Sequence, residues 1–298
     1  MEISAKMVKD LRECTGAGMM DCKKALQEAG GDMDAATDLL RTKGLAALAK
    51  KAGRATNEGI IGGTVSDDKR TGVLVEVNCE TDFVARNSDF QSFVAEIASH
   101  VLEAGPADMG ELMSQEFAGR GATFEQVLGE TVAKIGENMG VARFERYVLG
   151  SEYGGITVYI HGVGNIAVMV EMAAGSAEAA ASDLFATVSR DVAMQIAAAS
   201  PVAIDRDSID AAVIEHEMSI YKAQAAESGK PEPIQEKMAQ GRLEKYFKEV
   251  ALLEQSFVKD PDITVAAYID RAGKELGTAL SVTRFTRMVL GETASPEE

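Results

Sequence analysis

The sequence predicts an α+β fold. A three-helix module leads into two similar strand–strand–helix units, and a helical hairpin is inserted before the chain returns to the core. Three observations predict it. Apolar spacing changes from helical to strand-like near residue 59. The segment starting there recurs farther along at a fixed offset. After the second copy, a Gly-Pro break divides two stretches with helical apolar spacing.

The first module covers 1–55. Ser4 is placed to cap a helix carrying Val8 and Leu11 on one face, and Thr15-Gly16-Ala17-Gly18 breaks it. A second helix runs through Met19, Cys22, Lys23, Ala25 and Leu26 and stops at Gly30-Gly31. A third starts near Asp32 or Asp34, carries Ala36, Leu39 and Leu40, and is expected to end by Gly44. Residues 45–58 then read as a helical or extended linker. Three short helices bury little surface, so the module is expected to be marginal alone.

Residues 56–140 form the first unit. Gly59–Val65 and Gly72–Val77 read as strands around the polar turn 66–70. A helix follows, with Phe90, Phe93, Val94, Ile97 and Val101 at helical spacing, closing at Gly105-Pro106. The second unit is placed at 141–204. Glu76 matches Glu171, an offset of 171 − 76 = 95 residues, and at that offset Gly59 matches Gly154, Val75 matches Val170 and Phe90 matches Phe185. No gap is needed from 59–106 to 154–201, which points to internal duplication. A shorter echo joins Arg143-Phe144-Glu145-Arg146-Tyr147-Val148-Leu149-Gly150 to Arg284-Phe285-Thr286-Arg287-Met288-Val289-Leu290-Gly291. Both stretches read as sheet strands that follow helices.

Residues 205–250 are the expected hairpin. Ser208 is read as the cap of a helix with Ile209, Ala212, Val213, His216 and Ile220 on one stripe. Ser228-Gly229-Lys230-Pro231 interrupts it, and a second helix carries Ile234, Met238, Leu243, Tyr246, Phe247 and Val250. Residues 251–298 return to the core as a C-terminal module, with a frayed polar tail from 292 onward.

Composition narrows the function. With 47 acidic against 30 basic residues, the net charge is -17. That argues against a nucleic-acid ligand and against an anionic membrane surface, despite a local group at Lys43, Lys50, Lys51 and Arg54. The N-terminus lacks the apolar run of a signal peptide, and no stretch approaches the ~20 apolar residues of a membrane span. Cys14, Cys22 and Cys79 lack metal-ligand spacing and read as free thiols in a reducing cytoplasm. His100, His161 and His216 stand apart from one another and from the cysteines. Phosphate loops, nucleophile elbows and dinucleotide fingerprints are all missing, so covalent catalysis and a bound cofactor or metal are not expected.

The unusual stretch is Asn78-Cys79-Glu80-Thr81-Asp82-Phe83-Val84-Ala85-Arg86-Asn87. The second copy serves as an internal control, since it has Ser176, Ala177, Glu178 and Ala179 where the first has Thr81, Asp82, Phe83 and Val84. Two readings stand. In one, Thr81 or Asp82 caps the next helix and Phe83 packs locally. In the other, the loop presents an aromatic and an acid to a partner.

At these residues the chain resembles the elongation factor Ts family. Thr81-Asp82-Phe83-Val84 is similar to the family's central motif. Thr15-Gly16-Ala17-Gly18-Met19-Met20-Asp21-Cys22-Lys23-Lys24-Ala25-Leu26, Val132-Ala133-Lys134-Ile135-Gly136-Glu137-Asn138 and Ser228-Gly229-Lys230-Pro231 resemble further family blocks, in family order. The resemblance implies a guanine-nucleotide exchange factor for elongation factor Tu. The loop enters the partner's nucleotide domain, the Phe wedges beside Mg²⁺, and GDP leaves for GTP. It also implies a ubiquitin-associated-like N-terminal module that docks on the partner. Lys23 is then a contact, or else an exposed helix lysine. His161, in a turn of the second unit, is a contact or merely solvated. A homodimer through the hairpin is a further expectation. Two other readings are a partner-binding scaffold without exchange activity, and an enzyme whose pocket lies between the two units.

Overall fold

The computed structural model describes residues 3–292; the tail expectation beyond 292 lies outside the described residues. Helices α1 (Ala5–Thr15), α2 (Met19–Glu28) and α3 (Met33–Lys51) open the chain. Ser4 caps α1, its Oγ accepting from Met7 N at 3.2 Å, and Asp32 caps α3, its Oδ1 accepting from Ala35 N at 3.0 Å. Val8, Leu11, Cys22, Leu26 and Leu40 form a small core of their own.

The first sheet takes β1 (Glu58–Val65) and β2 (Thr71–Cys79). A one-turn helix α4 (Asp82–Ala85) follows, then α5 (Ser88–Ala104), α6 (Met109–Ser114) and α7 (Phe124–Ile135). Strand β3 (Met139–Val148) closes the sheet in the antiparallel order β1-β2-β3. The expected boundary at 140/141 therefore falls inside β3, whose backbone bonds go to β2 of the first sheet. The apolar stripe of α5 covers this sheet, with Phe90, Val94, Ile97 and Val101 buried.

The second sheet repeats the plan. It begins with β4 (Gly154–His161) and β5 (Ile166–Ala174), followed by one-turn α8 (Ala177–Ala180) and α9 (Asp183–Ala199). The hairpin α10 (Ala211–Ala226) and α11 (Glu232–Val250) comes next. After a small ribbon of β6 (Ser256–Phe257) and β7 (Asp260–Thr264), α12 (Val265–Leu276) leads to β8 (Leu280–Val289). The order is β4-β5-β8, again antiparallel.

The registers correspond residue for residue. Gly59 faces Asn78 as Gly154 faces Ala173, and each sheet has a register shift after its glutamate, Glu76 or Glu171. Both glycines have φ 150, and a Cβ on either would lie 2.2 Å from a carbonyl oxygen of the neighbouring strand. Only glycine fits there, which explains the identity.

Two local expectations are corrected. Helix α3 does not end at Gly44 but runs on to Lys51, so half of the expected linker is helix packed on α7. Gly44 is there for close approach: a Cβ on it would lie 3.0 Å from the backbone of Gly129 and Glu130. In the hairpin, the cap of α10 is Asp210, whose Oδ1 accepts from Ala212 N at 2.8 Å; Ser208 sits in a preceding 3₁₀ turn. The packed stripe on α10 is Ile214, Met218, Tyr221 and Ala225; of the expected stripe Ile209, ahead of the helix, is buried, while Val213 and His216 are exposed. Two stripes compete in that sequence, and the one with the larger apolar side chains wins. Among the described residues no helix is long and apolar enough to cross a membrane.

Candidate functional site

The chain leaves β2 at Cys79 and turns into α4. Thr81 has an extended backbone and caps α4, its Oγ1 accepting from Val84 N at 3.3 Å. Asn87 then caps α5 through Asp89 N at 2.7 Å. Val84 and Ala85 are buried and fasten the turn to the core of the first sheet. The opposite side of the same turn faces water, so Phe83 is 82% exposed. Asp82 pairs with Arg86 at 3.2 Å, but Arg86 is exposed and the Asp82 side chain half-exposed, and such a pair contributes little. Of the two readings of this corner, Thr81 is indeed a cap, yet Phe83 does not pack.

The corner is braced from the far end of α7. Gly136 closes that helix with φ 91, and Glu137 follows. Glu137 Oε2 accepts from Thr81 N at 3.0 Å and its Oε1 from Thr81 Oγ1 at 2.7 Å. In return, Glu80 Oε1 accepts from Asn138 N at 2.5 Å and from Arg54 Nη1 at 3.2 Å. The Asn138 amide, with Arg54 assisting, holds Glu80 below the usual carboxylate range. Asn138 Nδ2 donates to Arg54 O and Asn78 Nδ2 to Thr56 O, tying the α3–β1 connection to the same corner. Cys79 Sγ donates to Thr81 O at 3.2 Å. Burial, with the charge of Glu137 second, pushes that thiol up to about 12.

The second sheet makes the same turn without these groups. Ser176 caps α8 through Ala179 N at 3.2 Å, and Ala179 is buried like Val84. Glu178 stands in the place of Phe83 and is exposed, and Gly175 stands in the place of Glu80. Gly175 N donates to Ala279 O at 3.1 Å, and Thr278 occupies the place of Glu137. Neither the aromatic nor the acids are needed to build the turn.

Two other sequence-predicted residues lie elsewhere. Lys23 is exposed on α2, beside exposed Met19 and Met20. His161 ends β4, its Nδ1 3.0 Å from Tyr159 Oη, in a turn seated on β1 through the Ile61 N to Gly164 O bond of 2.8 Å. Neither bonds to the corner. His100 is packed on Phe117, and burial holds it below the usual imidazole range. Sequence reasoning missed the roles of Glu80, Glu137 and Asn138. The contrast of Glu80 with Gly175 was a usable signal, the same contrast that singled out Phe83.

The elongation factor TS family model matches residues 80–292, from the corner to the end of the second sheet. Elongation factor Ts of Trichlorobacter lovleyi is 48% identical over 299 residues, covering 100% of this chain and 96% of the relative. Elongation factor Ts of Clostridium perfringens is 48% identical over 296 residues, covering 99% and 95%. The chain belongs to the elongation factor Ts family. Membership implies a nucleotide-exchange role in translation elongation and protein biosynthesis, not covalent catalysis. The family model begins at Glu80, so for 1–79 the relationship rests on the full-length relatives, among them elongation factor Ts of Syntrophotalea carbinolica at 46% over 292 residues.

Proposed function

We propose that this chain binds elongation factor Tu carrying GDP, displaces the partner's Mg²⁺ with the corner Thr81-Asp82-Phe83-Val84, and so promotes exchange of GDP for GTP. The observation that carries the reading is Phe83, an aromatic 82% exposed on a braced turn whose counterpart in the second sheet has none. An exposed large apolar side chain held in place suits a pocket on a partner. Phe83 is the wedge, Asp82 a polar contact beside it, and Thr81 and Val84 fix the turn from above and below. Loss of Mg²⁺ leaves diphosphate charge uncompensated, which favours release. The effect is linkage: a factor that prefers the nucleotide-free partner weakens nucleotide binding in proportion.

In the same reading the ubiquitin-associated-like helices α1–α3 dock on the partner's nucleotide domain through the face bearing Lys23, and the His161 turn and the C-terminal strand make further contacts. The hairpin α10–α11 serves self-association. The protein acts in the cytoplasm and needs neither nucleic acid, membrane nor a cofactor of its own. The test is release of fluorescent GDP from elongation factor Tu at saturating factor. The chain is expected to accelerate release. Phe83→Ala is expected to lower the stimulated rate at least ~10-fold, about 1.4 kcal/mol of transition-state stabilisation. Binding without acceleration would leave a scaffold, and an unchanged rate in Phe83→Ala would remove the wedge.

A further inference from the structure

We infer that Glu137 is a positioning residue for exchange: by holding the Thr81 amide and hydroxyl, its carboxylate fixes the direction in which Phe83 is presented. The inference rests on the wedge reading of Phe83. It begins with how little else orients that ring. Helix α4 has only four residues, and a single turn has no stability of its own. Its side-chain cap, Thr81 Oγ1 to Val84 N, is long at 3.3 Å. The ring itself is largely free in water. The buried Val84 and Ala85 anchor the turn on its C-terminal side; on the N-terminal side it is held by the Thr81 peptide, from which Phe83 stands two residues on.

That residue is held at every polar atom. Its N–H and hydroxyl both donate to Glu137, at 3.0 and 2.7 Å, and its carbonyl accepts from Cys79 Sγ and from Ala85 N at 3.2 Å. The two donors each meet their own oxygen of one rigid, charged carboxylate, so both bonds are charge-assisted. An amide has one acceptor oxygen, so glutamine replaces this clamp only in part. Glu137 can reach across because Gly136 ends α7 in the left-handed region and turns the chain toward the corner.

The second sheet separates bracing from folding. There Thr278 stands in the place of Glu137, no carboxylate among the described residues meets Ser176, and the turn still forms with its cap and its buried alanine. The acidic brace occurs at the corner that presents an aromatic and is absent from the one that does not. A wedge displaced by about 1 Å loses on the order of 100-fold in rate when geometry governs the step. A brace of two hydrogen bonds acts on that scale of displacement.

The experiment measures GDP release from the GTPase partner against concentration of the full-length factor, with thermal melts alongside. Glu137→Ala is expected to lower the saturating rate about 10-fold while moving the half-saturating concentration less than about 2-fold. Glu137→Gln should fall between it and the parent, and serves in its place if Glu137→Ala does not fold. Lost folding alone would raise the apparent half-saturating concentration and leave the saturating rate intact. In the Phe83→Ala background, Glu137→Ala should add nothing, because the brace acts through the ring. Slow release by Phe83→Ala with normal release by both Glu137 variants would overturn the inference alone. Full additivity of the two alanine substitutions would overturn it as well. Normal release by Phe83→Ala would remove the wedge reading, and the inference with it.

Discussion

Phe83 stands on four helical residues, with Val84 and Ala85 carrying the attachment to the core. Removing its ring therefore takes little buried surface from the folded state. Phe83→Ala is expected to change unfolding free energy by about 1 kcal/mol or less, read from thermal or urea melts. A loss near the ~3–5 kcal/mol of a buried phenylalanine would mean that the ring packs, and would return this residue to a structural role. Phe83 was legible in the sequence because the chain carries its own control, with Glu178 at the matching position. Glu137 was not. Its bonds to Thr81 join residues 56 apart, and no local periodicity encodes that meeting. Lys23 and His161 were legible only as residue types in family blocks, and both lie on the surface.

At the scale of elements, the misread end of α3 has one cause. A glycine late in a helical pattern commonly marks a C-terminus, and Gly44 instead marks a crossing. Gly129 on α7 meets it: a Cβ there would lie 2.8 Å from Gly44 C and 2.9 Å from Gly44 O, backbone atoms that cannot rotate aside. Gly129→Ala is expected to force the helices apart and to destabilise by about 1–3 kcal/mol. Limited proteolysis between residues 45 and 58 should quicken in that variant, and unchanged cleavage would mean that the crossing does not hold the N-terminal helices. The hairpin's break at Gly229–Pro231 was visible in sequence, but its base was not. Val202 N donates to Val250 O and Leu252 N to Ala203 O, both at 2.9 Å. Arg206 bonds Glu254 and Glu244 and lies over the Phe247 ring. Excising 205–250 would strip this base, so the informative cut is distal. Replacing 222–245 by about four Gly/Ser residues should leave the core transition in place while weakening any self-association. A collapsed core transition would make the whole hairpin integral.

At the scale of the molecule, the duplicated letters Glu76 and Glu171 turn out to be two halves of one clasp. Glu76 is fully buried; its Oε2 accepts from Arg143 Nε at 2.8 Å and its Oε1 from Gly291 N at 2.9 Å. Arg143 Nη2 donates to Val289 O at 3.0 Å. Glu171 and Arg284 repeat this in the other direction, through Arg284 Nε at 2.7 Å, Gly150 N at 3.1 Å and Val148 O at 2.5 Å. The glutamate–arginine pair of each sheet thus holds the end of the third strand of the other. Between the clasps lie Ile61, Leu74, Tyr147, Ile156, Met169 and Met288, and Tyr147 Oη bonds Thr286 Oγ1 at 2.6 Å. The sequence displayed both glutamates and both arginines at matching positions, yet the exchange of partners between sheets exists only in three dimensions. Removing Arg284 would strand a buried carboxylate, a change that costs about 3–5 kcal/mol when both partners are deeply buried. Arg284 is 41% exposed, so solvent screening brings the expected cost of Arg284→Met to about 2–3 kcal/mol. Glu171→Gln should cost less, since its amide oxygen still accepts from one donor. The double variant should be less destabilised than the sum of the singles, because the stranded charge is gone. Because each clasp ties one sheet to the other, Arg284→Met should also lower the melting of both units together. Strict additivity, or melting that touches the second sheet alone, would show that the two pairs are separate surface bonds and that the apolar layer alone joins the sheets.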